Sequence, residues 1–265
     1  MAQLAPGDLS ILLVEPSAVQ RKVIIKHLEQ ESITQIEEAE DISSARAKIL
    51  QHIPDLVVSA LHFSDGTGLD LLHHIRYSEP YADVPFMLVS SEWRKTQLEE
   101  FKQAGVVAIL PKPFDSDHLA TAINSTIDLL SADELNLDLF DVQDVRVLVV
   151  DDSRLARNHI KRVLTNLGVQ RITEAQDGAQ AKAILADQMF DLVVTDYNMP
   201  EVDGRELTEF IRQQSQQSHI PVLMVSSEAN DTHLANIEQA GVNAICDKPF
   251  EPQMVKQILF SLLNQ

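Results

Sequence analysis

The sequence predicts an α/β protein made of two tandem doubly wound domains, each a parallel five-stranded sheet with helices on both faces. Three observations predict it. Short, wholly apolar runs alternate along the chain with stretches of helical period. The runs are apolar on both of their faces, as strands are when helices cover a parallel sheet on both sides. And the whole pattern occurs twice in the 265 residues.

The repeat holds one register. SILLVEPSAVQRKVIIKHL (10–28) returns as RVLVVDDSRLARNHIKRVL (146–164), and PDLVVSALHFSDGTGLDLLHHIR returns as FDLVVTDYNMPEVDGRELTEFIR. VPFMLVSSEW returns as IPVLMVSSEA, and AGVVAILPKPF as AGVNAICDKPF, always 136 positions later. A constant offset over a whole domain length marks duplication of one fold, and the period is too long for a solenoid.

In the first copy the runs at 11–14, 56–58, 86–89 and 107–110 read as strands, with helical stretches at 18–29 and 68–76. In the second, strands are expected at 147–150, 192–195, 222–225 and 244–246, with a weaker one near 171–174 and a final helix over 252–263. The intervening LSADELNLDLFDVQDV reads as an acidic linker, with extension of the preceding helix or docking of its leucines on a neighbour as the alternatives. The expected organisation is a domain over 1–129, a linker over 130–145 and a domain over 146–265.

Composition narrows the function. Hydrophobic residues make up 45% and charged residues 23%, a globular balance. The net charge is −19, and both halves share it: residues 1–136 carry 10 Lys+Arg against 21 Asp+Glu. Neither half is a basic module, so nucleic acid is not an expected partner. Cys246 is the only cysteine, which excludes an internal disulfide and fits a reducing compartment. No signal peptide is recognisable and the apolar runs are too short to span a bilayer, so a cytoplasmic location without membrane contact is expected.

In open α/β sheets, chemistry sits beyond the carboxyl ends of the strands. In the second copy those ends carry Asp151 and Asp152, Asp196, Ser226 and Lys248. Three carboxylates at one edge repel each other unless a cation lies between them, and hard oxygen ligands favour Mg²⁺. One carboxylate is then available as a nucleophile toward phosphorus, with the metal offsetting charge on the transferring group. The lysine adds positive charge for phosphoryl oxygens, and the serine hydroxyl offers one hydrogen bond.

VLVVDDS, LVVTDYNMPEVDG, PVLMVSSEA and DKPF resemble the signature segments of the response-regulator receiver family of two-component systems, in its order and at its spacing. The resemblance, to chemotaxis-type receivers, covers 145–264. It implies a flavodoxin-like fold and a phosphorelay role. It implies that Asp196 takes a phosphoryl group from the phosphohistidine of a histidine kinase or phosphotransfer protein. It also implies that Asp152, Asp196 and the backbone carbonyl of Asn198 ligate Mg²⁺, with Asp151 acting through a bound water. Ser226 inherits the switch hydroxyl and Lys248 the phosphate contact. One position departs: where the family often has an aromatic switch residue, this chain has Ile245, which has no ring to swing.

The first copy keeps the pattern and loses the chemistry. Ala60 stands at the position of Asp196, Glu15 and Pro16 at those of Asp151 and Asp152, and His62 at that of Asn198. Ser90 and Lys112 persist, with Lys112 expected to pair with Glu15 or hold the strand edge. Asp65 lies five residues past the required place. The first copy therefore resembles a pseudo-receiver.

Plainer readings account for the rest. The first copy's histidines (His27, His52, His62, His73, His74 and His118) read as surface residues, since adjacent helical positions such as His73 and His74 cannot reach one ion. Trp93 suits either a partner anchor or partial burial, and Cys246 a core position. The glycine-bearing stretches 65–68 and 201–204 lack phosphate-loop spacing and read as loops entering helices.

The expected protein is thus a tandem-receiver response regulator without a DNA-binding or enzymatic output domain, acting only by self-phosphorylation and autodephosphorylation. Its output is expected through protein–protein contacts, a homodimer or receiver–receiver contact included. A phosphate sink or relay, and the sensor fragment of a longer effector enzyme, are the alternatives. A haloacid-dehalogenase-like phosphatase is disfavoured, because its acid–base aspartate two residues past the nucleophile is here Asn198.

Overall fold

The computed structural model describes residues 5–91, 95–114, 116–130, 141–226, 240–248, 250 and 252–263, without the side chains of 95–97, 116 and 128. The chain forms two compact units, Met1–Ser131 and Ala132–Gln265. Trp93 and most of the expected linker lie outside the described residues.

The first unit runs β1 (Ser10–Val14), α1 (Ala18–Gln30), β2 (Gln35–Ala39), α2 (Ile42–Gln51), β3 (Leu56–Ser59), β4 (His62–Phe63), β5 (Gly66–Thr67), α3 (Gly68–Arg76), β6 (Phe86–Ser90), α4 (Lys95–Gln103), β7 (Ala108–Pro111) and α5 (Ser116–Leu130). Its five-stranded sheet has the order β2-β1-β3-β6-β7 and every pairing in it is parallel. The second unit runs β8 (Arg146–Val150), α6 (Arg154–Asn166), β9 (Arg171–Ala175), α7 (Gly178–Asp187), β10 (Leu192–Asp196), α8 (Gly204–Gln213), β11 (Val222–Ser226), β12 (Ala244–Asp247) and α9 (Pro252–Leu263). Its sheet repeats the order as β9-β8-β10-β11-β12, again all parallel.

The central strands explain the apolar runs. Every residue of β3, β6, β10 and β11 is buried, because helices cover both faces. Each buried Val or Leu contributes about 1.5–3 kcal/mol of transfer free energy. The edge strands β2 and β9 each bury only their last residue, Ala39 and Ala175, and are correspondingly polar.

The helices start where the sequence supplies caps, and the caps repeat with the duplication. The Gln20 and Ala156 N–H groups donate to Ser17 and Ser153, those of Ser44 and Gln180 to Asp41 and Asp177, and those of Asp70 and Glu206 to Thr67 and Asp203. Each cap satisfies a donor that a helix start leaves open, worth about 1 kcal/mol.

Two details differ from expectation. Residues 65–68 are not simply a loop: Gly66–Thr67 pairs antiparallel with His62–Phe63 in a short hairpin. Gly66 makes it possible, at φ 150° with a Cβ-free approach to Ile42 and Asp70. The strand expected at 107–110 is shifted by one residue, to Ala108–Pro111.

Among the described residues, no helix is long and apolar enough to cross a membrane.

Candidate functional site

Each candidate side chain of the second unit stands where a strand runs out. β8 ends at Val150, just before Asp151 and Asp152; β10 ends on Asp196, β11 on Ser226, and β12 one residue before Lys248. The strands are parallel neighbours, so these ends converge on one edge. β8 and β10 flank the point where strand order reverses, which is where such sheets leave a crevice.

The cluster is tight and largely buried. Carboxylate oxygens of Asp151, Asp152 and Asp196 lie within 4.8 Å of one another. Lys248 Nζ stands 3.2 Å from Asp151 Oδ2 and 3.0 Å from Asp196 Oδ1. Asp151 Oδ1 accepts the Ser153 N–H at 2.8 Å, and Asp196 Oδ1 accepts the Tyr197 N–H at 2.9 Å. Asp196 Oδ2 is buried and has no hydrogen-bond partner among the described residues. Asp152 and Asn198 are exposed.

One ammonium does not balance three carboxylates. Burial pushes the Asp196 carboxyl up to about 7, against the pull of Lys248 and with the Asp151 charge adding to the rise. Burial raises Asp151 in the same way. Burial also works against the Lys248 ammonium, but the two carboxylates outweigh it and hold its pKa above the ordinary lysine value. An orphaned buried oxygen in a set of hard oxygen donors with excess negative charge fits a divalent cation such as Mg²⁺.

The backbone around the cluster is constrained. A Cβ on Gly204 would lie 2.2 Å from the Asp196 carbonyl oxygen, so only glycine lets α8 start this close to the end of β10. The Ser226 hydroxyl is buried with its residue, and its carbonyl accepts the Lys248 N–H at 2.9 Å, fixing the lysine's strand end against β11. Ile245 lies half-buried on β12, paired with Met224.

Sequence reading passed over Arg157. Its Nη1 donates to the carbonyls of Asp151 at 2.6 Å and Asp152 at 3.4 Å, while Nε pairs with Glu174 at 3.2 Å. The guanidinium thus holds the loop that presents the two acids. The repeat contained the signal: Arg21, at the matching position, makes the same contacts to the carbonyls of Glu15 and Pro16 and to Glu38.

In the first unit Glu15 is 4% exposed, and its Oε2 pairs with Lys112 Nζ at 2.8 Å. Ala60 and Ser90 are buried, while Pro16 and His62 are exposed. Asp65 does not stand in for the missing aspartate. It accepts from the N–H groups of Ile42 and Ser43 and from the Ser43 hydroxyl, bracing the start of α2. Among the described residues, Asp151, Asp152 and Asp196 are the one set of three or more His, Cys, Asp or Glu side chains whose ligand atoms come within 4.8 Å of one another. A cavity of about 610 Å³ lies at the opposite, amino-end edge of the second sheet, but its cations Arg146 and Arg171 are already paired with Asp191 and Asp144.

A doubly wound parallel sheet with an acid cluster and a lysine at its switch point defines a recognisable class of domain. The chain belongs to the response regulator receiver domain family, which matches it twice, over residues 11–124 and 147–260. It is 40% identical over 113 residues to the chemotaxis protein CheY of Pseudomonas aeruginosa, covering 43% of this chain and 91% of that protein. It is 38% identical over 123 residues to the chemotaxis protein CheY-3 of Vibrio cholerae, covering 46% and 95%. Among solved structures it is similar to the receiver domain of the sensor histidine kinase PA1611 from Pseudomonas aeruginosa, which has a magnesium ion coordinated in its active-site cleft. That similarity is 29% identity over 46% of this chain and 98% of that one, with a TM-score of 0.43.

Proposed function

We propose that this chain is a response regulator whose second receiver, residues 146–265, accepts a phosphoryl group on Asp196. The donor is the phosphohistidine of a histidine kinase or phosphotransfer protein. The first receiver, residues 1–129, is a pseudo-receiver joined to it by a linker over 130–145. The observation that carries the reading is the buried, unpartnered Asp196 Oδ2, in a carboxylate cluster that a single lysine leaves under-neutralised.

Asp151, Asp152, Asp196 and the Asn198 backbone carbonyl would hold Mg²⁺, which supplies positive charge against the transferring phosphoryl oxygens. A free Asp196 oxygen attacks phosphorus as the bond to the imidazole nitrogen breaks, and the leaving imidazole keeps the electron pair. Lys248 already stands 3.0 Å from Asp196 and offers its ammonium to a phosphoryl oxygen. The Ser226 hydroxyl, on the neighbouring strand end, supplies the hydrogen bond that shifts on phosphorylation. With Ile245 in place of an aromatic ring, the shift is read through Ser226 and the β11–β12 edge. The signal leaves through protein–protein contacts, in a cytoplasmic protein whose only chemistry is its own phosphorylation and autodephosphorylation.

Acetyl phosphate with Mg²⁺ should produce a Phos-tag gel shift that EDTA prevents and Asp196→Asn abolishes. A shift that survives Asp196→Asn would reassign the phosphoacceptor.

A further inference from the structure

The family matches both units, yet the residues of the first do not fit the cation that the family's site implies. The second unit gathers three carboxylates around one ammonium. The first presents one carboxylate to one ammonium, and the two charges cancel. We infer that the site of the first unit is sealed by its own chain: the Glu15–Lys112 ion pair fills the place of the acid cluster, so this unit neither takes up a divalent cation nor responds to one.

Both oxygens of Glu15 are committed. Oε2 lies 2.8 Å from Lys112 Nζ, and Oε1 accepts the Ser17 N–H at 3.0 Å. These are the partners that Asp151 has in Lys248 and Ser153. The difference is that Lys248 is shared with Asp196, whereas Ala60 holds the matching position in the first unit and offers Lys112 no second carboxylate. Pro16 brings no ligand where Asp152 would be.

Several other acids of the unit are engaged as well. Asp65 braces α2, Glu38 pairs with Arg21 at 3.1 Å, and Glu37 pairs with Lys48 at 2.7 Å. Mg²⁺ gives up its water reluctantly and is held through carboxylates. To bind here it would have to break a part-buried ion pair, whose carboxylate is buried, and leave Lys112 unpaired, an exchange with an opposing cost. Lys112 thus acts as the permanent counter-ion of Glu15. Removing one partner strands a buried charge, while removing both does not.

This inference concerns the first unit alone and stands apart from the phosphoacceptor reading of the second. Hydrogen–deuterium exchange on the full chain, followed by mass spectrometry, tests it. Adding millimolar Mg²⁺ should leave peptides spanning 9–17, 56–68 and 105–114 unchanged. Lys112→Met should speed exchange in those peptides several-fold, and the pair Glu15→Gln with Lys112→Met should exchange more slowly than Lys112→Met alone. Protection of these peptides by Mg²⁺ in the unaltered chain would overturn the inference, as would additive effects of the two substitutions. If Lys112→Met does not accumulate as folded protein, the Mg²⁺ arm decides alone. A second unit that ignores Mg²⁺ would count against the proposed function, not against the seal.

Discussion

A carboxylate that is 2% exposed, beside a second buried carboxylate and one shared ammonium, weakens the domain that carries it. The Asp196 carboxyl is pushed up to about 7, above the value of roughly 3.9 for an unfolded aspartate. The folded state therefore binds a proton that the unfolded state releases, and stability falls as pH rises from about 4 to about 7. Without divalent cation at pH 8, Asp196→Asn should then raise the melting temperature of the second unit, by about 4 °C or more, the shift that roughly 1 kcal/mol gives a domain of this size. Differential scanning calorimetry in EDTA measures it; an unchanged or lowered melting temperature would show that Lys248 alone neutralises the site. At this scale the sequence was informative wherever a strand end announced a side chain: Asp151, Asp152, Asp196, Ser226 and Lys248 all stand on one edge. Arg157 escaped, because an arginine in a helix is ordinarily a solvated charge, and nothing local says that it reaches back to two carbonyls. Lys112 was legible as a partner for Glu15, but not that both Glu15 oxygens are taken.

Among the elements, the buried central strands were plain and the edge strands were not. β10 and β11 open on the apolar runs LVV and VLMV, whereas β2, with sequence QIEEA, buries only Ala39 and carries no pattern of its own. The β4–β5 hairpin was hidden for another reason: it rests on one glycine conformation rather than on periodicity. The duplication also varies one helix contact in a way that predicts a pH response. Between α7 and α8, Lys182 Nζ lies 5.2 Å from the centre of the Phe210 ring, a cation–π contact. The matching residues on α2 and α3 are Arg46 and His74, where protonation sets two cations together. Burial, then the Arg46 charge, holds the His74 pKa below the ordinary histidine value. The unfolded chain therefore takes up the proton first, so this contribution to stability is present above about pH 6.5 and is lost as pH falls below it. His74→Phe, which installs the ring of the second unit, should flatten the fall in the first unit's urea midpoint between pH 7.5 and 5.5. An identical slope in the variant would mean that His74 has no part in the pH response.

Over the whole molecule, one fold was copied and the copies diverged where strands end. Caps, strand order and the arginine that grips the first loop are all retained. So is a structural arginine: Arg76 donates to the carbonyls of Ala82, Val84, Ala104 and Gly105, and Arg212 to those of Ser218, Ile220 and Gly241. Such features serve folding, and both copies need them. The acids at the strand ends are where the copies differ: the second unit gathers Asp151, Asp152 and Asp196, and the first pairs Glu15 with Lys112. The fixed repeat made this asymmetry visible in the sequence, since Ala60 and Asp196 fall in register. What the register could not supply was how the first site is filled, because that depends on the reach of a glutamate side chain. The proposed division of labour assigns the phosphoryl chemistry to the second copy and none to the first. Intact-mass spectrometry of the full chain after acetyl phosphate and Mg²⁺ decides whether it holds. A single added phosphoryl group is expected, located on Asp196 by peptide mapping and absent from Asp196→Asn; a second phosphoryl group, or one on any residue of the first unit, would contradict it.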